Sequence, residues 1–240
     1  MVPPYLEPMQ PIQGVRDAGL DAVIGMYPTV HRLRTTVVAP WTAFTLGDHA
    51  VRPPHRVLLY GPEGCGTGFI AGRLVDELAA TDVVGVLVPA VDETVERDPA
   101  ELAAILAAPA TRDVVLIGTT HRPWAIPADL FGDGGFERMV FVPPPDWDAR
   151  RFRLWEAPFG SASSTADLDR LVVATEGWSG ADIAGLADAA GSIEDLVAAI
   201  AARTPSAATW LSQARDMIRS LDSYGRVDDL VGYLQRYRLL

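Results

Sequence analysis

The sequence predicts an α/β fold, in which helices sandwich a parallel sheet of the P-loop type and a small all-helical domain follows. Short apolar segments of strand length alternate with helix-like segments between residues 20 and 158. A Gly-rich turn joins the first of these strands to the next helix. After residue 158 the apolar residues recur with helical spacing. We therefore expect an N-terminal arm over 1–19, an α/β domain over 20–158 and a helical lid domain over 159–240.

The apolar pattern also predicts where each element lies. Strands are expected at 56–60, 82–88, 113–118 and 140–142. A helix is expected over 27–38, ended by Pro40, and two more over 69–80 and 99–107. The helices of the last domain are predicted at 165–175, 180–190, 193–202, 209–222 and 227–238.

The Gly-rich turn keeps the glycines of the P-loop pattern G-x-x-x-x-G-K-[ST] and lacks its reactive side chains. Gly61 and Gly66 have the required spacing, but Thr67 stands at the lysine position and Gly68 at the Mg²⁺-binding hydroxyl. The 240 residues contain no lysine. Losing such a preorganised group costs roughly 3–4 kcal/mol of transition-state stabilisation. Weak ATP or ADP binding without efficient hydrolysis is expected, and a plain strand-to-helix turn is the alternative.

Composition excludes several other function classes. The net charge of −11 and the pI near 4.7 argue against binding to nucleic acid or to anionic membranes. The single cysteine, Cys65, excludes an internal disulfide and a cysteine metal site. The N-terminus has no signal-peptide pattern, and no apolar segment has the length of a membrane span. We therefore predict a cytoplasmic protein without a metal site.

Five sequence segments resemble, in order, those of AAA+ ATPases. They are LDAVIGM at 20–26 with VLLYGP at 57–62, VVLIGTTHRP at 114–123, GGFER at 134–138, VPPPD at 142–146 and TEGWSGADI at 175–183. The resemblance covers about residues 20–190 and is looser beyond them. It implies an AAA+ α/β nucleotide-binding domain with a helical lid.

The resemblance also implies which residues meet a nucleotide. The backbone of Ile24 and Gly25 and the lid residues Gly180 and Ala181 would flank the base, or else simply pack the two domains together. The phosphates would contact the loop, which consists of Gly61, Pro62, Glu63, Gly64, Cys65, Gly66, Thr67, Gly68 and Phe69. Helix-terminal N–H groups are expected to lower the pKa of Cys65. A catalytic cysteine would also need a base, which the sequence does not indicate.

Two candidate catalytic positions are altered with respect to the family. Asp92 and Glu93 are the only candidates for the acidic pair that holds Mg²⁺ and polarises water, and a solvated loop is the favoured alternative. His121 stands where the family has its sensor asparagine. Mg²⁺ binding is therefore in doubt.

Two arginines bear on the missing charge. Arg138 matches the second arginine of the arginine-finger motif and would act on a neighbour's nucleotide. A structural salt bridge to Asp129, Asp133 or Glu137 is the equal alternative. Arg73 is a substitute for the missing lysine in an alternative hypothesis, although it lies six residues after Thr67.

The chain is also expected to lack one strand–helix unit of the family. About 40 residues, 81–120, stand where two strands and two helices are usual. No aromatic residue lies between Phe69 and Trp124, so the resemblance gives no aromatic pore loop.

The leading functional hypothesis is a pseudo-ATPase that acts as a regulatory or structural subunit for a protein partner, such as an active AAA+ paralogue, within an oligomer. The alternatives are an active ATPase with an unusual P-loop and a scaffold that does not use nucleotide.

Overall fold

Four parallel strands form one sheet in the computed structural model, which describes residues 19–107, 113–132, 134–160, 163–221 and 227–239. The strands are β1 (Arg56–Tyr60), β2 (Val84–Val88), β3 (Val114–Thr120) and β4 (Arg138–Phe141). Their order across the sheet is β2-β3-β1-β4, and every neighbouring pair is parallel. The sheet is flanked by helices and followed by a helical region, so the predicted fold class is confirmed.

One face of the sheet is covered by α1 (Tyr27–Leu33), α2 (Ala39–Thr45) and α3 (Thr67–Ala79). These helices bury branched side chains of three strands, because successive residues of a buried strand alternate between its two faces. The strand residues in this core are Val57, Leu59, Val115, Ile117 and Val140.

The prediction that Pro40 ends the first helix is wrong. A five-residue π-helical segment, Arg34–Val38, joins α1 to α2 without a break. Proline lacks an N–H and its ring collides with the carbonyl four residues earlier in a regular helix. In the π-helical segment the N–H of Ala39 donates to the Arg34 carbonyl, five residues back. Pro40 then lies in the first turn of α2, where no donor is required.

The opposite face is covered by α4 (Val91–Arg97) and α5 (Pro99–Ala107), which pack on Leu58 and Phe136. The described residues between α3 and β3 thus form one strand and two short helices, where one strand and one helix were predicted. The prediction that the sheet is covered on both faces fails at its edge. There Val84, Val86 and Leu87 of β2 are 57%, 40% and 46% exposed.

The helical region has two parts. A cluster that contains Leu154 and Trp178 holds together α6 (Trp147–Trp155), which was not predicted, and three helices close to their predicted bounds. Those three helices are α7 (Thr165–Ala174), α8 (Gly180–Ala189) and α9 (Ile193–Ala201).

The last two helices, α10 (Ser206–Leu221) and α11 (Asp228–Arg236), pack on the sheet. They bury Tyr60 and Phe141, the last residues of β1 and β4. Trp210 of α10 stacks on Phe141 with ring centroids 5.8 Å apart. Trp210 and Tyr233 therefore join the helical region to the α/β domain.

Candidate functional site

The Gly-rich loop, residues 61–68, follows the carboxyl end of β1 and opens α3, as predicted. Gly66 precedes the helix with a φ of 89°, in the left-handed region that favours glycine. Gly61 approaches the backbone of β4 so closely that a Cβ would collide with the Val142 carbonyl oxygen. The sequence forms this loop because glycines stand at these two positions.

The loop presents free backbone donors. Within the described part of the chain, the N–H groups of Gly64, Gly66, Thr67 and Gly68 donate to no acceptor. Thr67 is buried, and its hydroxyl also has no hydrogen-bond partner among the described residues. Converging N–H groups at a helix N-terminus form an anion-binding site, because the helix dipole adds partial positive charge there. The backbone of this loop therefore fits the phosphates of a nucleotide.

The side chains of the loop do not complete such a site. Glu63 is exposed and brings negative charge to the loop, whereas Thr67 and Gly68 supply neither a cation nor a metal ligand. The Nη1 of Arg73 lies 3.3 Å from Asp76 Oδ2, and its guanidinium carbon lies 5.4 Å from the ring centroid of Phe69. Arg73 thus interacts with its own helix, which disfavours its substitution for the lysine.

Cys65 is an inert thiol in this fold. Its side chain is buried, and burial, with a smaller effect of Asp182, raises its pKa to about 12. The expectation that helix-terminal N–H groups lower its pKa is therefore wrong. Desolvation of the thiolate outweighs the attraction of the N–H groups at this depth.

His121 lies beside the loop. Its Nδ1 is 3.1 Å from the Gly61 carbonyl oxygen, so Nδ1 carries a hydrogen and donates it to the loop backbone. The backbone carbonyl of His121 accepts a hydrogen bond from Trp210 Nε1, which fixes α10 at the carboxyl edge of the sheet.

The Asp92 cluster, which consists of Asp92, Glu96, Thr120 and Arg122, is the main feature that sequence reasoning missed. Asp92 is 4% exposed and lies in the first turn of α4, so the favoured solvated loop is wrong. Its Oδ1 accepts a hydrogen bond of 2.8 Å from the Thr120 hydroxyl, and its Oδ2 accepts one of 2.9 Å from Arg122 Nε. The two Nη groups of Arg122 bind Glu96 at 2.7 and 2.9 Å.

These bonds decide what Asp92 can do. Burial raises the pKa of Asp92, but the hydrogen bonds from Thr120 and Arg122 outweigh it and hold that pKa below its ordinary value. The carboxylate is therefore ionised and has both oxygens engaged by protein groups. Glu93, its neighbour, is exposed on α4. Thr120 and Arg122 flank His121 in the sequence, and a polar pair at a strand end was the signal that could have revealed the cluster.

The lid docks directly on the loop. The N–H of Ala181 donates to the Gly64 carbonyl at 3.1 Å, and a Cβ on Gly64 would lie 2.7 Å from the Ala181 Cβ. Ser179 and Asp182 form a capping box at the start of α8, which orients its N-terminus toward the loop. Gly180 and Ala181 therefore lie next to the loop.

Gly25 contacts a different element. A Cβ on Gly25 would collide with Asp146 and lie 3.1 Å from the Ala149 Cβ. The adjacent Met26 N–H donates to Asp146 Oδ2 at 2.6 Å. Ile24 is partly exposed in the preceding turn. These contacts fix the segment on the start of α6.

Arg138 lies at the amino edge of the sheet. In the sheet it lies opposite Val57 of β1. The loop follows Tyr60, which lies three residues further along β1, or roughly 10 Å away at about 3.3 Å per residue. Its Nη1 donates to the Glu137 carbonyl, and Arg138 makes no ion pair with Asp129 or Glu137. Asp133 lies outside the described residues. Arg138 is exposed and cannot reach the loop of its own chain.

The described ranges contain neither a candidate metal site nor a membrane-spanning helix. No group of three or more His, Cys, Asp or Glu side chains within them could hold a metal ion. No helix in the same ranges is long and apolar enough to cross a membrane.

The chain is similar in sequence to several ATPases, although no protein-family model matches it. It is 30% identical over 180 residues to the human ATPase family gene 2 protein homolog A, covering 55% of this chain and 20% of that protein. It is 26% identical over 245 residues to the ATPase family gene 2 protein of Schizosaccharomyces pombe, covering 78% and 30%. A proteasome-associated ATPase of Thermomonospora curvata is 36% identical over 69 residues, 28% of this chain and 12% of the relative. The chain thus spans less than a third of these relatives.

Solved structures establish the class of fold. The FIGL-1 AAA domain in complex with ADP matches with a TM-score of 0.65 at 18% identity, covering 84% of this chain and 90% of that one. A katanin structure, solved to explain katanin self-assembly, matches with a TM-score of 0.62 at 20% identity, covering 80% and 90%. The chain therefore has the AAA domain fold.

Proposed function

We propose that this chain is a catalytically impaired AAA+ protein that binds ATP or ADP weakly and acts as a regulatory or structural subunit for a protein partner. The observation that carries the proposal is the composition of the loop. Unengaged N–H groups at Gly64, Gly66, Thr67 and Gly68 favour an anion. The same loop has no lysine and no metal-binding hydroxyl, and the 240 residues contain no lysine elsewhere.

The Asp92 cluster supports the absence of hydrolysis. Phosphoryl transfer needs a carboxylate that holds Mg²⁺ and a group that orients the attacking water. Asp92 already accepts hydrogen bonds at both oxygens, from Thr120 and Arg122, and Glu93 points to solvent from α4. Binding Mg²⁺ through Asp92 would break a buried hydrogen bond. We therefore propose that nucleotide binds without a tightly held Mg²⁺.

Arg138 supports a role toward a partner. It is exposed at the sheet edge opposite the loop, and it makes no ion pair with the described residues. An arginine in that position completes a phosphate site only on a neighbouring subunit. The katanin match concerns self-assembly, and one group of relatives is named for association with the proteasome. An active AAA+ paralogue is the partner that we propose, in the cytoplasm and without nucleic acid or membrane.

The alternatives have less support. An active ATPase would need a cation at the loop, and Arg73 interacts instead with Asp76 and Phe69. A scaffold that ignores nucleotide would leave the free N–H groups of the loop without a role.

Thermal unfolding with and without nucleotide tests the binding half of the proposal. A ligand at a tenfold excess over its Kd stabilises the folded state by about 1.4 kcal/mol. We expect ADP and ATP at millimolar concentration to raise the Tm and Mg²⁺ to add nothing. The absence of any shift would favour the scaffold, and a shift that requires Mg²⁺ would favour the active ATPase.

Turnover by a partner tests the other half. An AAA+ ATPase from the same source is mixed with this chain, and its ATP hydrolysis is measured. We expect the chain to change the rate and Arg138→Ala to abolish that change. Arg97→Ala is the matched control, because Arg97 is an exposed arginine that pairs with Glu101, four residues later, among the described residues. Equal effects of both variants would contradict a role of Arg138 in trans.

A further inference from the structure

A cavity of about 390 Å³ lies between the two parts of the helical region, with α6 on one side and the last two helices, α10 and α11, on the other. Its volume falls in the range of small-molecule sites, roughly 300–1,000 Å³. Its walls come from α6, the turn before α8, α10 and α11, and no residue of the Gly-rich loop borders it. The polar groups that line it include Arg150, Glu176, Ser212, Arg215, Tyr233 and Tyr237.

Arg150 is a buried cation whose hydrogen bonds within the described residues go to backbone carbonyls. It is 5% exposed, and it forms no ion pair with any described carboxylate. Its Nε donates to the Val172 carbonyl at 3.2 Å and its Nη1 to the Pro145 carbonyl at 2.8 Å. Nη2 has no acceptor within the same residues, although Arg150 borders the cavity.

A buried charge is costly unless it is paired and hydrogen-bonded. Burial lowers the pKa of the Arg150 guanidinium, while Glu176 has the largest opposing effect from a carboxylate. Glu176 is exposed at the rim of the cavity, so water screens its charge. An anion inside the cavity would supply both the missing acceptor for Nη2 and the missing charge.

The other walls favour a flat ligand with one anionic group. The rings of Tyr233 and Tyr237 lie 4.6 Å apart at 36°, and together they form an aromatic surface. Burial raises the pKa of Tyr233, so its hydroxyl stays protonated and can donate. Arg215 is half-buried, and only its Nε pairs with a carboxylate, that of Asp216 at 3.2 Å.

We propose that this cavity binds a small molecule that carries an oxyanion, either carboxylate or phosphate, on a flat body. Arg150 Nη2 and the Tyr233 hydroxyl donate to the oxyanion, Arg215 adds positive charge near it, and the tyrosine pair packs against the flat body. The net charge of the chain is −11, so binding of an anion depends on these local groups. The inference is independent of the function proposed for the loop.

Calorimetric titration of the full chain tests the inference with four probes: phenyl phosphate, benzoate, inorganic phosphate and benzyl alcohol. We expect phenyl phosphate or benzoate to bind at least tenfold more tightly than inorganic phosphate and benzyl alcohol, because only these two combine charge with a ring. The better of the two identifies the oxyanion. Saturating ADP should leave that affinity unchanged. Failure of both ring anions to bind at about 10 mM would overturn the proposal.

Variants locate the binding. Arg215→Gln and Tyr237→Ala change half-buried or exposed side chains, so we expect both to fold and each to weaken the ring anion about tenfold. Arg170→Gln is the matched control, because Arg170 is 79% exposed and does not line the cavity. Arg150→Gln should abolish binding, with its fold checked by circular dichroism. Equal affinities of wild type, Arg215→Gln and Tyr237→Ala would contradict this site.

Discussion

The Gly-rich loop has free backbone N–H groups but no lysine, whereas the Asp92 cluster has a carboxylate with both oxygens engaged in hydrogen bonds. The loop N–H groups of Gly64, Gly66, Thr67 and Gly68 have no acceptor among the described residues. Asp92, in contrast, accepts from Thr120 and Arg122. The difference teaches that residue identity alone does not decide chemistry. What matters is which atoms remain available to a ligand.

Removing the Asp92 carboxylate should have the largest effect on stability. We expect Asp92→Ala to lower the free energy of unfolding by about 3 kcal/mol, because the buried hydroxyl of Thr120 loses the acceptor for its proton and Arg122 Nε loses its carboxylate. Chemical denaturation measures the change. Glu93→Ala is the control, and because Glu93 is exposed we expect less than about 0.5 kcal/mol. Similar losses in both variants would show that the cluster is not a structural unit.

Restoring a lysine and a hydroxyl to the loop tests its contribution separately from that of the Asp92 cluster. We expect the double variant Thr67→Lys, Gly68→Thr to bind ATP with Mg²⁺ roughly ten- to a hundredfold more tightly, since it restores one charged contact and one metal ligand. Hydrolysis should stay at background, because the Asp92 oxygens remain engaged. Calorimetry and phosphate release measure the two effects, with Gly68→Thr alone as control. Fast hydrolysis by the double variant would mean that the cluster does not limit catalysis.

The shape of the loop gives a third test. Gly64 has a φ of 74°, and a Cβ added to it would lie 2.7 Å from the Ala181 Cβ, so Gly64→Ala should destabilise the fold by about 1–2 kcal/mol and loosen the lid. Gly68 lies in α3 with nothing within 4 Å of its added Cβ. Gly68→Ala should therefore be neutral or slightly stabilising. Thermal unfolding of the pair compares them, and equal losses would contradict the docking of the lid on Gly64.

Acid should weaken the Asp92 cluster by a smaller amount. The pKa of Asp92 is lowered in the folded state, so the unfolded state takes up its proton first as the pH falls below about 4. The stabilisation is complete above the unfolded pKa and is lost as the pH falls through the folded pKa. We expect wild type to lose more stability than Asp92→Asn between about pH 5 and pH 3. If the free energy of unfolding of the two proteins depended on pH in the same way, Asp92 would make no such contribution.

Sequence predicts the strands and the loop well because their signals are local. Apolar segments of strand length and the spacing of Gly61 and Gly66 need no knowledge of distant residues. The Asp92 cluster depends on contacts across 28 and 30 residues, so its carboxylate looked like part of a solvated loop. The prediction that Pro40 ends a helix failed for the opposite reason. The local rule for helix ends did not hold, because a π-helical segment precedes the proline and accommodates it.

The pKa of Cys65 shows the same limit. Its position beside helix N–H groups predicted a lowered pKa, and its depth under the lid determines the actual direction. Burial is a property of the whole fold, and neither spacing nor residue type reports it. The free donors of the loop were predictable from its glycines, whereas the engagement of Asp92 required the tertiary structure.

The most direct test is phosphate release by the purified chain, with ATP and Mg²⁺, against a sample with a chelator and no Mg²⁺. Thermal unfolding with ADP shows in parallel that the protein is folded and competent to bind nucleotide. We predict a Tm raised by ADP and no release above background in either sample. Mg²⁺-dependent turnover near about one per second, within the ordinary range of enzymes, would contradict an impaired site.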